Sequence, residues 1–226
     1  MKLYDLALAD IDVRPSPFCW LTKFALLHKG VEFETEPVHF ADKTKYPDAE
    51  YGRVPVLVTS DETITDSARI VAWLEKNITG EPFTTTSAEQ AASDFIQAWL
   101  GARVFPFLGP MMFLKIWSHA HADDKEYFRT TREERFGKTL EELAATPGLV
   151  ENLEASLQTL AAPLARHKFL GGEKANLADY QVMSVFMWQR SVTSKPLYEA
   201  PQAVEAWKER MLDLFDGYAR KAKSAE

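Results

Sequence analysis

The stretch RVPVLVTSDETITDSARIVAWLEKNI, residues 53–78, changes its periodicity partway along. Its first part contains two short apolar runs, RVPVLVT and TITD, which are typical of two strands joined by a turn at SDE. Its second part, SARIVAWLEKNI, places apolar residues at helical spacing. The stretch therefore predicts two consecutive strands followed by an amphipathic helix.

The segments before this stretch supply the rest of a small α/β unit. KLYDLAL at residues 2–8 predicts a buried strand, and VEFETEPVHF at residues 31–40 alternates as a strand does. Between them, PFCWLTKFALLHKG at residues 17–30 has helical spacing, with proline in its first turn and glycine at its end. Residues 1–80 therefore predict β-α-β, a variable segment, and then β-β-α.

The strand pattern disappears from about Ser87 onward, where the chain reads as helical. Pro106 and Pro110 are expected to kink or split the first helical segment. TGEPFTTTS, residues 79–87, has the composition of a connector between domains. We therefore expect an α/β domain over residues 1–80 and an all-α domain over residues 81–226. The helical segments span residues 87–117, 123–144, 148–167, 175–192 and 201–215.

Composition narrows the class of protein. The chain has 226 residues, 46% of them hydrophobic, and a net charge of −7, which argues against a nucleic-acid-binding protein. The single cysteine excludes an intrachain disulfide and suits a reducing compartment. The first residues lack the apolar region of a signal peptide, and no apolar run is long enough to span a membrane. We therefore expect a cytoplasmic protein without membrane or nucleic-acid partners.

The first helix begins with a serine three residues before the only cysteine. A C-x-x-C pair here would be a dithiol redox site, but Ser16 occupies the first position and Cys19 the last. Ser16 could simply cap the helix, or its hydroxyl could donate to the sulfur of a bound thiol. Cys19 falls about one turn into the helix, on or near its buried side, where cysteine behaves as a small hydrophobe.

Two further positions have both a structural and a functional interpretation. Pro55 could belong to an edge strand, or follow a cis bond that leaves the Val54 N–H and C=O free to pair with a peptide-like ligand. Asp66 and Ser67 could cap the following helix, or bind the ammonium and carboxylate groups of an amino acid. A ligand that would use these groups together with Ser16 has an amino-acid end, a peptide backbone and a thiol; glutathione is such a ligand.

Over nearly its whole length the chain resembles the glutathione transferase superfamily, in its serine-type form. The matching motifs, in order, are SPFCW (residues 16–20), RVPVLV (53–58), DS (66–67) and NLADY (176–180). A closer similarity is to the bacterial β-aryl-etherase branch and related fungal transferases, in SPFCWLTKFALLHKG and in FLGGEKANLADYQVMSVFMWQRSVTS (169–194). The chain departs from that branch at Leu21, usually arginine, and at Asn176, usually serine or threonine.

The resemblance implies a thioredoxin-like first domain and a helical bundle second domain that contributes a hydrophobic substrate site. It also implies Ser16 as the catalytic residue, which activates the thiol of glutathione as co-substrate. The implied glutathione-binding residues are Lys43, Arg53, Val54, Pro55, Asp66 and Ser67, with Lys45 and Arg53 as alternatives to Lys43 for the glycine carboxylate.

For the aromatic substrate we expect a pocket between the domains, lined by Phe18, Met112 and Trp117, although aromatic and methionine stripes are more often core. HAHADD, residues 119–124, is expected to be a polar loop and not a metal site, because histidines two residues apart do not share a helix face.

The resemblance further implies a homodimer. The activity implied is cleavage of lignin-type β-aryl ether ketones; the alternatives are a broad detoxifying transferase and a non-catalytic carrier of aromatic compounds.

Overall fold

The computed structural model describes residues 1–226 and confirms the predicted order of the first domain. A four-stranded sheet has the strand order β2-β1-β3-β4, in which β1 is parallel to β2 and antiparallel to β3, and β3 is antiparallel to β4. This is a thioredoxin-like domain with a mixed sheet. Its elements are β1 (Lys2–Leu6), α1 (Pro17–His28), β2 (Glu34–Val38), β3 (Val56–Val58), β4 (Thr63–Thr65) and α2 (Ser67–Asn77), with a 3₁₀ turn at Lys43–Lys45.

Strand direction brings four connecting segments to one edge of the sheet. Strands β1, β2 and β4 all end at this edge, and β3 begins there because it runs antiparallel to β1 and β4. We call this the loop edge. It is formed by residues 39–46 after β2, residues 9–16 after β1, residues 52–55 before β3, and residues 66–67 after β4, in that order across the sheet.

The second domain is all-helical, as predicted. We place the boundary near residue 80, within the connection of residues 78–86. The predicted helix over residues 123–144 is in fact two helices, because Gly137 adopts the left-handed conformation and Thr139 starts a new capping box. The helices are α3 (Ser87–Trp99), α4 (Phe105–His119), α5 (Asp124–Phe136), α6 (Leu140–Ala144), α7 (Leu149–Arg166), α8 (Leu177–Val192) and α9 (Gln202–Gly217).

The two prolines of the first helical segment act differently. A π-helical turn at Leu100–Val104 joins α3 to α4, and Pro106 stands in the first turn of α4, where it has no N–H to satisfy. Pro110 lies inside α4 and does not end it. The expected interruption therefore occurs just before Pro106, while Pro110 costs one intrahelical hydrogen bond near the start of the helix.

One hydrophobic core runs through both domains and is centred on α8. Phe24 of α1 stacks on Tyr180 of α8, with ring centroids 5.8 Å apart. The ring of His28 lies between the Tyr180 hydroxyl, at 2.8 Å, and the Glu81 carbonyl, at 2.9 Å. Since the carbonyl can only accept, His28 donates to Glu81 and, when neutral, accepts from Tyr180. The helix that begins at Ser16 is thus fixed against the second domain.

The start of α8 is held by one buried carboxylate. Asp179 Oδ1 accepts from the N–H of Leu170 at 2.8 Å and from the indole of Trp207 at 2.7 Å. Its Oδ2 accepts from the N–H groups of Gly171 at 2.9 Å and Asn176 at 3.1 Å. This arrangement includes the reciprocal capping box of Asn176 and Asp179 within the NLADY motif. None of the helices combines the length and apolar composition needed to cross a membrane.

Candidate functional site

Ser16 lies at the loop edge as the N-cap of α1. Its side chain is buried, and its Oγ accepts from the Cys19 N–H at 3.2 Å. Pro17 follows in the first turn and leaves no N–H unsatisfied. The capping interpretation of Ser16 is therefore confirmed. Because a hydroxyl can accept one bond and donate another, Ser16 can cap the helix and also donate to a ligand at the start of the helix.

Cys19 is not suited to act as a nucleophile. It has no exposed surface, as the sequence indicated. Burial in the core raises the pKa of its thiol well above the usual range, and the negative charge of Asp5 raises it further. A thiol with a raised pKa carries little thiolate at neutral pH, so any reactive sulfur at this site must come from a ligand.

The segment before β3 presents an unpaired backbone. The Val54–Pro55 peptide bond is cis, and Pro55 precedes β3 (Val56–Val58) rather than lying within it. The Pro55 carbonyl accepts from the Asp66 N–H at 3.3 Å, whereas Val54 makes no hydrogen bond within the chain. Of the two interpretations of Pro55, the structure contains the cis bond. The free N–H and C=O of Val54 can pair with an extended peptide.

Asp66 and Ser67 lie on the other side of Val54, at the start of α2. Asp66 caps the helix: its Oδ1 accepts from the N–H groups of Ala68 at 2.9 Å and Arg69 at 3.4 Å. Its Oδ2 makes no hydrogen bond within the chain and stays available to a ligand ammonium. Both residues line a cleft of about 620 Å³ between the two domains, which Phe18 also lines.

The three basic candidates for a carboxylate differ in their surroundings. Lys43 Nζ donates to the Gly52 carbonyl at 2.8 Å and has no carboxylate partner, so two of its three protons stay free. Lys45 is paired with Asp42 at 3.1 Å. Arg53 is exposed, with its guanidinium 5.5 Å from the Tyr51 ring. Lys43 and Arg53 therefore both lack a carboxylate partner within the chain, whereas Lys45 has one.

The three residues expected to line a substrate pocket lie in different environments. Phe18 is 46% exposed, borders the cleft and stacks on Phe105, with ring centroids 5.9 Å apart. Met112 has no exposed surface and belongs to the core, so we correct its assignment as a pocket residue. Trp117 packs against α5, where its indole donates to the Lys125 carbonyl at 3.2 Å. Of the three residues, only Phe18 is close to Ser16 in sequence and also lines the cleft.

Sequence reasoning missed the part that α5 plays at the loop edge. Asp124, the last residue of HAHADD, is fully buried, and its Oδ1 accepts from the Ala41 N–H at 2.7 Å. Phe128, one turn later, packs edge-to-face on Phe40 with centroids 4.9 Å apart. The predicted polar loop between helices is present at residues 120–123, but Asp124 begins α5 and pairs its carboxylate with a backbone group far away in sequence. No group of three or more histidine, cysteine or acidic side chains is arranged to bind a metal.

A second missed residue is Tyr51, in the turn before the cis bond. Its N–H donates to the Asp48 side chain at 2.8 Å, which orders this turn. Burial raises the pKa of the Tyr51 hydroxyl, and the negative charge of Asp66 raises it further. The phenol is therefore a neutral hydrogen-bonding group near Asp66. The signal available in the sequence was a tyrosine beside Gly52, just before RVPVLV; in the structure this glycine has a φ of +58°.

Each of the two domains matches a domain of one known protein family. The N-terminal domain of glutathione S-transferases matches residues 15–77, and their C-terminal domain matches residues 88–218. The chain therefore belongs to the glutathione S-transferase family. It is 25% identical over 182 residues to glutathione S-transferase U28 of Arabidopsis thaliana, covering 79% of this chain and 70% of that protein.

Solved structures show the same architecture. A glutathione S-transferase of Ceriporiopsis subvermispora, crystallised in complex with glutathione, is 26% identical with a TM-score of 0.74, covering 96% of each chain. A glutathione transferase of Phanerochaete chrysosporium is 23% identical with a TM-score of 0.76, again covering 96% of each chain. At that lower identity, the second likeness concerns the fold alone.

Proposed function

We propose that this protein is a serine-type glutathione transferase in which Ser16 activates the thiol of glutathione. The observation that carries the proposal is the position of Ser16: its hydroxyl lies at the N-terminus of α1 on the loop edge, accepts from the Cys19 N–H and has a proton that can be donated to a sulfur there. Family membership and the relative crystallised with glutathione support the choice of co-substrate. We place this chemistry in the cytoplasm, where glutathione is kept reduced.

The free energy needed to lower the pKa of the glutathione thiol favours a direct hydrogen bond from Ser16 to the sulfur. A free thiol titrates near pH ~8.5, and lowering its pKa by about two units needs roughly 2.7 kcal/mol. The dipole of α1 supplies about 0.3–1 kcal/mol at its N-terminus, or up to ~2 in a partly buried geometry. A hydrogen bond to a charged group contributes about 1.5–3 kcal/mol. The helix terminus and Ser16 together therefore reach the required amount, and the dipole alone does not.

The order of segments across the loop edge fits an extended tripeptide. With the cysteinyl thiol at Ser16, the cysteinyl backbone pairs with Val54, as in strand addition. The γ-glutamyl end then meets Asp66 and Ser67 beside β4. The glycine end points the opposite way, toward Lys43 and the segment after β2.

For the electrophile we propose a β-aryl ether ketone, on the strength of the similarity to the etherase branch. The thiolate forms a bond to the β-carbon, which the adjacent ketone activates. The carbon–oxygen bond breaks, and the phenolate leaves with the electron pair and takes a proton from water. Phe18 and Phe105, stacked with an interplanar angle of 17°, offer an aromatic surface beside the thiol.

The test supplies glutathione with a β-aryl ether ketone and measures the released phenol and the glutathione thioether. The matched control substrate is the corresponding alcohol, which lacks the activating ketone and is expected to remain intact. Turnover of a reactive aryl halide without ether cleavage would instead identify a broad detoxifying transferase. Binding of the aryl ether without any turnover would identify a carrier and contradict the proposal.

We also propose that the protein is a homodimer in which α3 supplies the interface. Phe95 is 68% exposed on α3. Exposed alanines lie one helical turn to either side of it, at positions 91, 92 and 98, and two turns before it, at position 88. A large apolar side chain framed by small ones is suited to close contact between two copies of the same helix.

Replacing Phe95 with glutamate is expected to raise the dimer dissociation constant by at least about a hundredfold, because two copies of a buried aromatic side chain are lost. Sedimentation equilibrium measures this constant. The matched control is Phe136→Glu, which changes a phenylalanine that is 41% exposed on α5. If both variants dimerise as the wild type does, α3 is not the interface.

A further inference from the structure

Trp20 of α1 holds the backbone on both sides of Ser16. Its backbone N–H donates to the Ser16 carbonyl at 3.0 Å, as the first bond of the helix. Its indole N–H donates to the Arg14 carbonyl at 2.8 Å. This second bond is the only hydrogen bond that the Arg14 backbone makes. The segment that carries the Ser16 hydroxyl is therefore fixed to one side chain of the following helix.

The segment between these two bonds is stiff. Ser16 lies between Pro15 and Pro17, and a proline fixes its own φ and confines the residue before it to extended backbone. Ser16 itself is extended, with φ −67° and ψ 119°. Because the prolines leave few alternative conformations, a change in the direction of the Arg14 carbonyl is passed on to Ser16.

A buried ion pair holds the Trp20 ring. Lys23 Nζ lies 3.5 Å from the ring centroid and donates to Asp5 Oδ2 at 3.0 Å. Asp5 belongs to the interior strand β1, and the side chains of Lys23 and Asp5 are only 3% and 0% exposed. Away from water, the attraction between an ammonium group and the face of an indole is stronger than at the surface. The ring that donates to Arg14 is therefore fixed against the sheet.

The Arg14 side chain makes a less directional contact with the same strand. Its Nη1 lies 3.7 Å from Asp5 Oδ2, and its Nε donates to the Ile11 carbonyl. Arg14 Nη1 and Asp5 Oδ1 both lack a hydrogen-bond partner within the chain, so charge alone links these two side chains. Coulomb attraction depends on distance and not on angle. The indole bond is therefore the contact that orients this part of the loop edge.

We propose that Trp20 is a positioning residue for the reaction: it directs the Ser16 hydroxyl toward the sulfur of bound glutathione. This inference rests on the proposed function, in which Ser16 donates a hydrogen bond to the thiolate. Such a bond weakens steeply as its angle departs from a straight line. A Ser16 side chain that turns away from the sulfur stabilises the thiolate less, and the pKa of the bound thiol then rises.

The test replaces Trp20 with phenylalanine, which removes the indole N–H and keeps an aromatic ring against Lys23. The pKa of the bound thiol, titrated by thiolate absorbance in the binary complex, is expected to rise by at least about half a unit. At neutral pH this corresponds to a kcat/KM at least about threefold lower. The dissociation constant of glutathione, measured at a pH where the thiol is protonated in both proteins, is expected to stay within about twofold of the wild-type value.

The matched control is Trp207→Phe. Trp207 has no exposed surface, and its indole donates to Asp179 Oδ1 at 2.7 Å in the helical domain, away from the loop edge. Both variants lose one buried indole hydrogen bond, so both are expected to melt at a lower temperature than the wild type. Only Trp20→Phe is expected to change the thiol titration. An equal change in the two variants would mean that lost stability causes it, and the inference would be wrong.

A second comparison introduces Trp20→Phe into the Ser16→Ala protein. Because Trp20 acts through the Ser16 hydroxyl, the double variant is expected to have the same thiol pKa as Ser16→Ala alone. Additive effects would contradict the inference. If Trp20→Phe does not fold, site-specific replacement of the Trp20 indole by benzothiophene provides another variant, in which sulfur takes the place of the N–H in a ring of the same shape.

Failure of this inference is distinguishable from failure of the proposed function. If Ser16→Ala raises the pKa of the bound thiol and the Trp20 variants leave it unchanged, Trp20 does not position Ser16, and the proposed function stands. If Ser16→Ala also leaves that pKa unchanged, Ser16 does not activate the thiol, and the inference fails together with the proposed function.

Discussion

Ser16→Ala is expected to lower kcat/KM for the glutathione-dependent reaction by roughly 10- to 150-fold at neutral pH. The alanine removes a hydrogen bond to the thiolate that contributes about 1.5–3 kcal/mol. The pKa of the bound thiol is then expected to rise by about one to two units. Because the thiolate forms only above that pKa, the loss of rate should shrink as the pH increases. The ultraviolet absorbance of the thiolate, titrated in the binary complex, measures the change directly.

Loss of the helix cap is the competing explanation for such a result, since Ser16 also accepts from the Cys19 N–H. Thr86→Ala is the matched control: Thr86 caps α3 through the same kind of bond, to the Glu89 N–H at 3.2 Å, away from the loop edge. Both variants should lose about 1 kcal/mol of stability, and only Ser16→Ala should lose activity. Unchanged turnover together with an unchanged thiolate titration in Ser16→Ala would exclude Ser16 from catalysis.

Asp179→Asn is expected to lower the free energy of unfolding by about 3–6 kcal/mol. Each carboxylate oxygen of Asp179 accepts two N–H bonds. Whichever way the asparagine amide turns, its NH₂ group faces two donors, which lose their acceptor in a buried site. An unsatisfied buried donor costs about 1–3 kcal/mol, and the charge that strengthens the other two bonds is also lost. Thermal unfolding followed by circular dichroism should show a melting temperature lower by roughly 6–24 °C.

The second capping box of the chain provides the control for Asp179. Glu142 accepts from the Thr139 N–H at 2.8 Å in the same reciprocal arrangement, but at an exposed position. Glu142→Gln is expected to cost less than about 1 kcal/mol, because water can satisfy the groups that it leaves. Equal losses in the two variants would mean that burial of the Asp179 carboxylate does not govern its contribution.

Periodicity was sufficient to predict the elements of the first domain. Patterns of period two and of helical spacing identify β1, β2 and α1, because each element buries one face against the same core. Periodicity also predicted the helical character of the second domain, but not the break between α5 and α6. That break depends on Gly137 and Thr139, which are local signals inside an otherwise helical pattern.

The positions of the candidate site residues were predictable where local sequence and sheet topology agree. Ser16, Val54 and Asp66 each stand at the end of an element, and strand direction brings these ends to one edge. Met112 was misassigned because an apolar stripe on a helix has the same composition whether it faces a pocket or the core. Asp124 was missed because HAHADD has the composition of a polar loop, and its carboxylate pairs with the Ala41 N–H, which is far away in sequence.

The bond between Asp124 and Ala41 limits how this protein can be recombined. A chimera that combines the thioredoxin-like half of this chain with a helical half that has no acidic residue in place of Asp124 would lose the carboxylate that fixes the segment after β2. Such a chimera could retain a folded sheet and a folded bundle. The segment after β2 would nevertheless lose the bond that holds it at the loop edge. A chimera that keeps this bond must therefore include α5 together with the first domain, although α5 belongs by sequence to the second domain.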